Sequence, residues 1–202
     1  MKYIVLPTIA AILFSCGSQN SKETNSTITD TAIGAVAEQG MGGRRVTTST
    51  GKIIMLIEEH PIGMSLSDIK VVAAGMGDTI RFKDADPVSE LLQGDLDNDG
   101  FDELYIVTST AGSGNYGKVI GLSSVGDSSF QKILIPSFEQ DAKPYQGYMG
   151  GDTFFVEKNS LVRSFPVYQA GDVNGKPTGG SKTVQYRLLK KGNDLLLLEA
   201  NR

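Results

Sequence analysis

An all-β fold, an antiparallel β-sandwich or flattened barrel with one or two short helices, is what this chain of 202 residues predicts. Three observations carry the expectation. Short runs rich in Val, Ile, Leu, Tyr and Phe recur from about residue 51 onward. Turn sequences such as Val125-Gly126-Asp127, Lys158-Asn159 and Lys191-Gly192-Asn193-Asp194 separate them. No helical pattern is long enough to cover a parallel sheet.

In chain order, residues 1–15 read as a lipoprotein signal peptide. Lys2 precedes an apolar stretch broken by Pro7. Leu13-Phe14-Ser15-Cys16-Gly17 then has the outline of a lipobox, with a branched aliphatic three residues before the cysteine and a small residue directly before it. Cleavage there leaves the Cys16 thiol as the lipidation site, and the stretch falls short of the roughly 20 apolar residues a bilayer span needs. Residues 16–50 are rich in Ser, Thr, Asn and Gly and poor in large apolar side chains, the composition of a flexible tether. A short helix at 31–39 is stopped by Gly40. Residues 51–202 suffice for one β-rich domain with its own core.

Strands are expected at 52–58, 68–74, 78–83, 103–109, 117–123, 130–135, 152–157, 161–168, 182–189 and 194–199, each short and bounded by turn residues. Residues 87–93, PVSELLQ, place Pro near a helical start and read as one short helix. A further turn of helix fits 136–141.

Composition narrows the chemistry. With Cys16 as the single cysteine, an intramolecular disulfide, a CxxC redox pair and a cysteine-rich zinc site are excluded. With His60 as the single histidine, so are multi-histidine metal sites. A serine triad would need that one ring between nucleophile and acid, yet His60 stands beside Pro61 at the end of a strand, where a turn residue is expected. Acidic side chains outnumber basic ones by 23 to 19, and loss of Lys2 with the leader widens the gap. Such a surface repels nucleic acid and favours a cationic partner.

Chemistry concentrates in residues 94–117, GDLDNDGFDELYIVTSTAGSGNYG. Asp95, Asp97 and Asp99 alternate, the carbonyl of Phe101 is available, and Glu103 stands ninth. A hard cation such as Ca2+ takes six to eight oxygen ligands, and carboxylates at every second position of a tight turn can converge on one. An EF-hand is excluded, because its twelfth position is Ile106, inside a strand. A propeller repeat is excluded because the motif occurs once. Without an ion, the same residues form a turn whose carboxylates cap its own amides.

Gly112-Ser113-Gly114-Asn115-Tyr116-Gly117 matches GxGxxG, but a dinucleotide site needs a helix after the glycines and Lys118-Val119-Ile120-Gly121-Leu122 is strand-like. A hairpin loop made mobile or sharply curved by glycine, presenting the hydroxyls of Ser113 and Tyr116 at its tip, fits better. The neighbouring carboxylates are expected to brace its base.

The succession of acidic loop, Glu-Leu-Tyr-Ile-Val strand and Ser109-Thr110-Ala111-Gly112-Ser113-Gly114-Asn115-Tyr116 resembles the periplasmic inhibitors of I-type (invertebrate-type) lysozyme. The resemblance is good from about residue 94 to 122, and Thr110 is interposed in the motif. It implies a β-sandwich, often dimeric, that plugs the lysozyme active-site groove with a Ser-Gly-x-Tyr loop. Ser113, Gly114, Asn115 and Tyr116 then inherit the inhibitory role. A downstream basic residue assists in that family; Lys118 is nearest, with Arg163 and Arg187 as alternatives.

Three functions follow. The first is a lipid-anchored inhibitor of lysozyme in the bacterial cell envelope, facing the periplasm or the cell surface, with no catalysis of its own and with a second copy as a further partner. The second is a calcium-binding adhesion or carbohydrate-binding lipoprotein module. The third is a hydrolase using Asp95, Asp102 or Glu103, ranked last because glycoside hydrolysis needs two carboxylates facing across a cleft.

Overall fold

A computed structural model describes residues 43–61, 63–77, 79–112, 114–136 and 143–200. Cys16, the helix expected at 31–39, Ser113 and nearly all of the turn expected at 136–141 lie outside the described residues.

The all-β expectation holds. Strands β1 (Gly43–Thr47), β2 (Ile53–Glu59), β3 (Ser67–Ala73) and β4 (Ile80–Ala85) form an antiparallel sheet in sequential order. A second sheet contains β5 (Val88–Gly94), β6 (Glu103–Ser109), β7 (Gly117–Val125), β8 (Ser129–Leu134), β9 (Thr153–Glu157), β10 (Ser160–Pro166), β11 (Ser181–Lys191) and β12 (Asp194–Glu199). Its spatial order is β5-β6-β7-β8-β12-β11-β10-β9. The end strands β5 and β9 come against each other without a ladder, so this sheet is a nearly closed barrel. One pairing departs from the antiparallel expectation: β12 runs parallel to β8 over Leu195↔Ile133 and Leu196↔Leu134.

Side-chain alternation divides the interior in two. Leu104 and Ile106 of β6 face the four-stranded sheet and pack with Ile54, Leu56, Ile69 and Val71. Tyr105 and Val107 of the same strand face the barrel interior, with Leu161, Leu188 and Leu197. Both faces of β6 are therefore buried, which is why its middle, Leu-Tyr-Ile-Val at 104–107, is apolar without a break.

The same geometry explains two departures from expectation. Residues 87–93 are not a helix; β5 occupies all of them but Pro87. Leu91 packs into the core between the sheets and its neighbour Leu92 onto the barrel core. Adjacent apolar residues serving opposite faces fit a strand between two cores, and pairing with β6 overrides a weak helical preference. The folded domain also begins earlier than residue 51. Within the stretch assigned to the tether, β1 pairs with β2 from Gly43↔Ile57 to Thr47↔Ile53. Helical structure among the described residues is one 3-10 turn, Lys143–Tyr145.

Tyr105 is wholly buried, and its hydroxyl has no hydrogen-bond partner among the described residues. An unsatisfied hydroxyl in such a place carries a desolvation penalty of about 1–3 kcal/mol. Tyr105→Phe is therefore expected to leave stability unchanged or raise it by about 1 kcal/mol in urea denaturation. A clear loss would show that the hydroxyl is bonded.

Candidate functional site

Strand β6 carries one candidate loop at each end. At its start, Asp95, Asp97 and Asp99 each offer a carboxylate oxygen, and these lie within 4.8 Å of one another. The carboxylates also cap the turn. The Asp99 amide donates to Asp95 Oδ1 at 3.2 Å, the Gly100 amide to Asp95 Oδ2 at 3.0 Å and the Phe101 amide to Asp99 Oδ1 at 2.9 Å. Partial desolvation and the charge of Asp99 raise the Asp97 pKa above the ordinary aspartate value.

Glu103 is not gathered into this cluster. It is turned into the protein, wholly buried, accepting from the Leu96 amide at 2.7 Å and the Ser123 hydroxyl at 3.1 Å. Burial pushes its carboxyl up to about 7, against the lowering effect of the Leu96 amide. Asp102 is buried as well. It accepts from the Ser49 amide at 2.7 Å and the Ser49 hydroxyl at 2.9 Å, fastening the β1–β2 turn to the base of the acidic loop.

The glycine-rich loop leaves the other end of β6. Six residue steps of extended chain separate Glu103 from Ser109, about 20 Å. The acidic loop therefore does not brace the glycine-rich one, contrary to expectation. Asp152 does. Its Oδ2 accepts from the Gly117 amide at 2.7 Å, at the first residue of β7, and from the Tyr148 hydroxyl at 2.5 Å. Its Oδ1 accepts from Arg163 Nε at 2.6 Å, and Arg163 Nη2 donates to the Tyr148 hydroxyl at 2.7 Å. The side chains of Asp152 and Arg163 are 1% and 6% exposed, so this is a buried ion pair. Burial acts against the charged guanidinium, yet the bond to Asp152 holds the Arg163 pKa above its ordinary value. The guanidinium also lies over the rings of Tyr148 and Phe154, 4.8 and 5.5 Å from their centroids.

Backbone bonds close the loop itself. The Thr110 amide donates to the Tyr116 carbonyl at 3.0 Å, the Tyr116 amide to Thr110 Oγ1 at 3.0 Å, and the Gly151 amide to the Asn115 carbonyl at 3.1 Å. Ser109 Oγ bonds Asn115 Oδ1. Gly150 allows the close approach: it has φ +89°, and a Cβ there would overlap the Gly114 carbonyl. The two arms of the loop, 109–110 and 115–117, are thus tied down.

Tyr116 is half-buried. Its ring meets Tyr148 edge-on at 5.6 Å between centroids and folds back over Gly114, where a Cβ would strike it. Tyr116 leans on the domain and forms the shoulder of the loop; Ala111, Gly112 and Asn115 are exposed. Lys118 points away, paired with Asp86 at 2.7 Å and 66% exposed. Arg187 is exposed on β11. Of the three basic candidates, folding brings Arg163 beneath the loop, linked to the Gly117 amide through Asp152.

The supporting residues Tyr148, Gly150 and Asp152 lie in the stretch YQGYMGGD, whose pairing of tyrosines with glycines is the signal in the sequence that points to an aromatic-packed turn beside a binding surface. His60 lies beside Ser67, with Nδ1 3.1 Å from its hydroxyl. Ser67 is wholly buried and donates to Glu58 at 2.9 Å, so this trio ties β2 to β3 and presents no accessible nucleophile.

No family model matches the chain, and no curated protein does. Among solved structures, the chain is similar to a periplasmic lysozyme inhibitor of I-type lysozyme from Aeromonas hydrophyla, at 17% identity and a TM-score of 0.35. The likeness covers 45% of this chain and 84% of that one.

Removing one partner of a buried ion pair costs about 3–5 kcal/mol. Asp152→Ala is expected to lose that much stability in urea denaturation and to speed amide exchange at Gly117. A loss under about 1 kcal/mol would contradict the bracing role assigned to it.

Proposed function

We propose that this protein is an extracytoplasmic, lipid-anchored inhibitor of lysozyme, I-type lysozyme being the first candidate, and that residues 109–117 enter the enzyme's active-site groove. The observation that carries the proposal is the tied, glycine-rich loop. Its sequence is the one that resembles the Ser-Gly-x-Tyr plug, and its two arms are bonded to each other and to Gly151 before any partner arrives. Preorganisation lowers the ordering cost of association and leaves more of the contact energy as affinity.

A lysozyme groove contains catalytic carboxyl groups and donors and acceptors that bond sugar hydroxyls. In the proposed complex, the tip from Ala111 to Asn115 enters the groove. The hydroxyls of Ser113 and Tyr116 take the place of sugar hydroxyls, and Gly114 keeps the tip narrow. Tyr116 acts from the shoulder, its ring supported by Tyr148. Arg163 serves through Asp152 to hold the loop and does not reach the enzyme. Net negative charge draws in a cationic lysozyme. Lipid on Cys16, with the stretch rich in Ser, Thr, Asn and Gly that follows it as the proposed tether, would keep the inhibitor at the membrane while giving it reach.

A second proposal concerns Ca2+ at the acidic loop, favoured by the convergence of the Asp95, Asp97 and Asp99 oxygens within 4.8 Å. These three carboxylates and the Phe101 carbonyl would hold the ion, which would neutralise their repulsion and stiffen the start of β6. Glu103 would join only by turning out of its buried bonds. This belongs to the alternative function, a calcium-binding adhesion or carbohydrate-binding module.

Tyr116→Phe keeps the ring against Tyr148 and removes the hydroxyl alone. A hydrogen bond to a charged group contributes about 1.5–3 kcal/mol, so inhibition of I-type lysozyme is expected to weaken tenfold or more with the melting temperature unchanged. Full enzyme activity at micromolar concentrations of the wild-type protein, across several lysozyme types, would end the inhibitor proposal. For the metal, calorimetry should give one saturable Ca2+ site that Asp97→Ala abolishes; a flat titration of the wild type rules the site out.

A further inference from the structure

Among the described residues, the barrel wall is open on one side. After Leu195↔Ile133 and Leu196↔Leu134, β12 runs on to Glu199 with no further ladder to β8 among the described residues, facing the first residues of β7 across a slit. Behind the slit lies a cavity of about 770 Å³. That is within the range of about 300–1,000 Å³ occupied by small-molecule sites. Val119, Ile135, Phe154, Leu161 and Leu197 supply apolar wall. Exposed Pro136 and Leu189 mark its rim.

Cross-strand register brings polar side chains to this apolar space. Leu161, Tyr186 and Glu199 occupy facing positions on β10, β11 and β12 and so share the inner face. Tyr145, from the 3-10 turn, donates to Glu199 Oε1 at 2.5 Å, and its oxygen lies 2.8 Å from the Tyr186 hydroxyl. Since the Tyr145 proton is committed to Glu199, Tyr186 donates to Tyr145. Burial, reinforced by the bond to Glu199, raises the Tyr145 pKa and keeps it protonated. Arg163 also lines the cavity, but its charge is matched by Asp152. Both phenolic protons are therefore used within the chain Tyr186→Tyr145→Glu199, and the oxygen of Tyr186 retains lone pairs for a further donor.

We propose that the cavity binds a compact apolar molecule bearing a hydroxyl or ammonium group, its body against Val119, Phe154, Leu161 and Leu197 and its donor on the Tyr186 oxygen. A ligand that offers only acceptors, such as a carboxylate, meets an acceptor there and is disfavoured. The site lies inside the barrel and goes beyond the inhibition proposed for the loop; neither depends on the other.

Calorimetric titration of the purified protein with 1-adamantanol, 1-adamantanamine and 1-adamantanecarboxylate tests it. The alcohol and the amine are expected to bind saturably at one site, about tenfold more tightly than the carboxylate. Tyr186→Phe should shrink that preference to within about threefold, the weight of one neutral hydrogen bond. Val119→Trp, which fills the cavity from the β7 wall, should abolish binding of all three while the circular dichroism spectrum is retained. No saturable binding by either donor, equal affinity for the carboxylate, or an unchanged ranking in Tyr186→Phe overturns the proposal. Because Tyr186→Phe leaves Tyr145 bonded to Glu199, the test survives a failure of Val119→Trp to fold.

Discussion

Asp152 satisfies donors from three separate parts of the chain: the Gly117 amide at the start of β7, the Tyr148 hydroxyl after the 3-10 turn, and the Arg163 guanidinium on β10. A carboxylate and a guanidinium buried this deeply are tolerated only when matched in charge and hydrogen-bonded throughout. That requirement fixes the geometry around them. Tyr148 must lie where it can accept from Arg163 and donate to Asp152, and its ring then becomes the surface on which Tyr116 rests. Gly150 and Gly151 follow directly, close enough for the Gly151 amide to reach the Asn115 carbonyl. The shape of the exposed loop is thus set by a polar cluster inside the barrel.

The two-core architecture explains why the candidate sites fall where they do. With both faces covered, β6 runs as a buried strand between the four-stranded sheet and the barrel interior. The acidic loop feeds one end and the glycine-rich loop leaves the other, so two motifs adjacent in sequence are held apart in space. They are independent features. The acidic loop, which is the β5–β6 connection, is joined instead to the β1–β2 turn through Asp102 and to the start of β6 through the bond from the Leu96 amide to Glu103.

Much of the β structure was legible because strand residues are β-branched and aromatic and the turns are rich in Gly, Asn and Asp. Strands β6 and β12 fall where expected, at 103–109 and 194–199. What escaped depends on partners distant in sequence. Nothing local in Gly43–Thr47 marks it as a strand; pairing with β2 makes it one. PVSELLQ carries a Pro-initiated helical pattern, and only the presence of cores on both sides turns Leu91 and Leu92 into strand residues. At the candidate site the loop itself was visible from its glycines and tyrosine. Its support was not, since Asp152 and Arg163 are 11 residues apart and meet only through the β9–β10 pairing and the turn before β9. Glu103 illustrates the opposite limit. Spacing alone groups it with the aspartates, whereas strand alternation sends its side chain inward beside Tyr105 and Ser123.

Backbone amide hydrogen exchange, followed residue by residue with and without a saturating I-type lysozyme, addresses the central claim most directly. The account predicts slow exchange at Gly117 and Gly151 in the free protein, because both amides are already bonded, and further slowing confined to residues 109–117 and 148–152 in the complex. Rapid exchange at Gly117 in the free protein, or protection that appears on another face while the loop is unaffected, would contradict it.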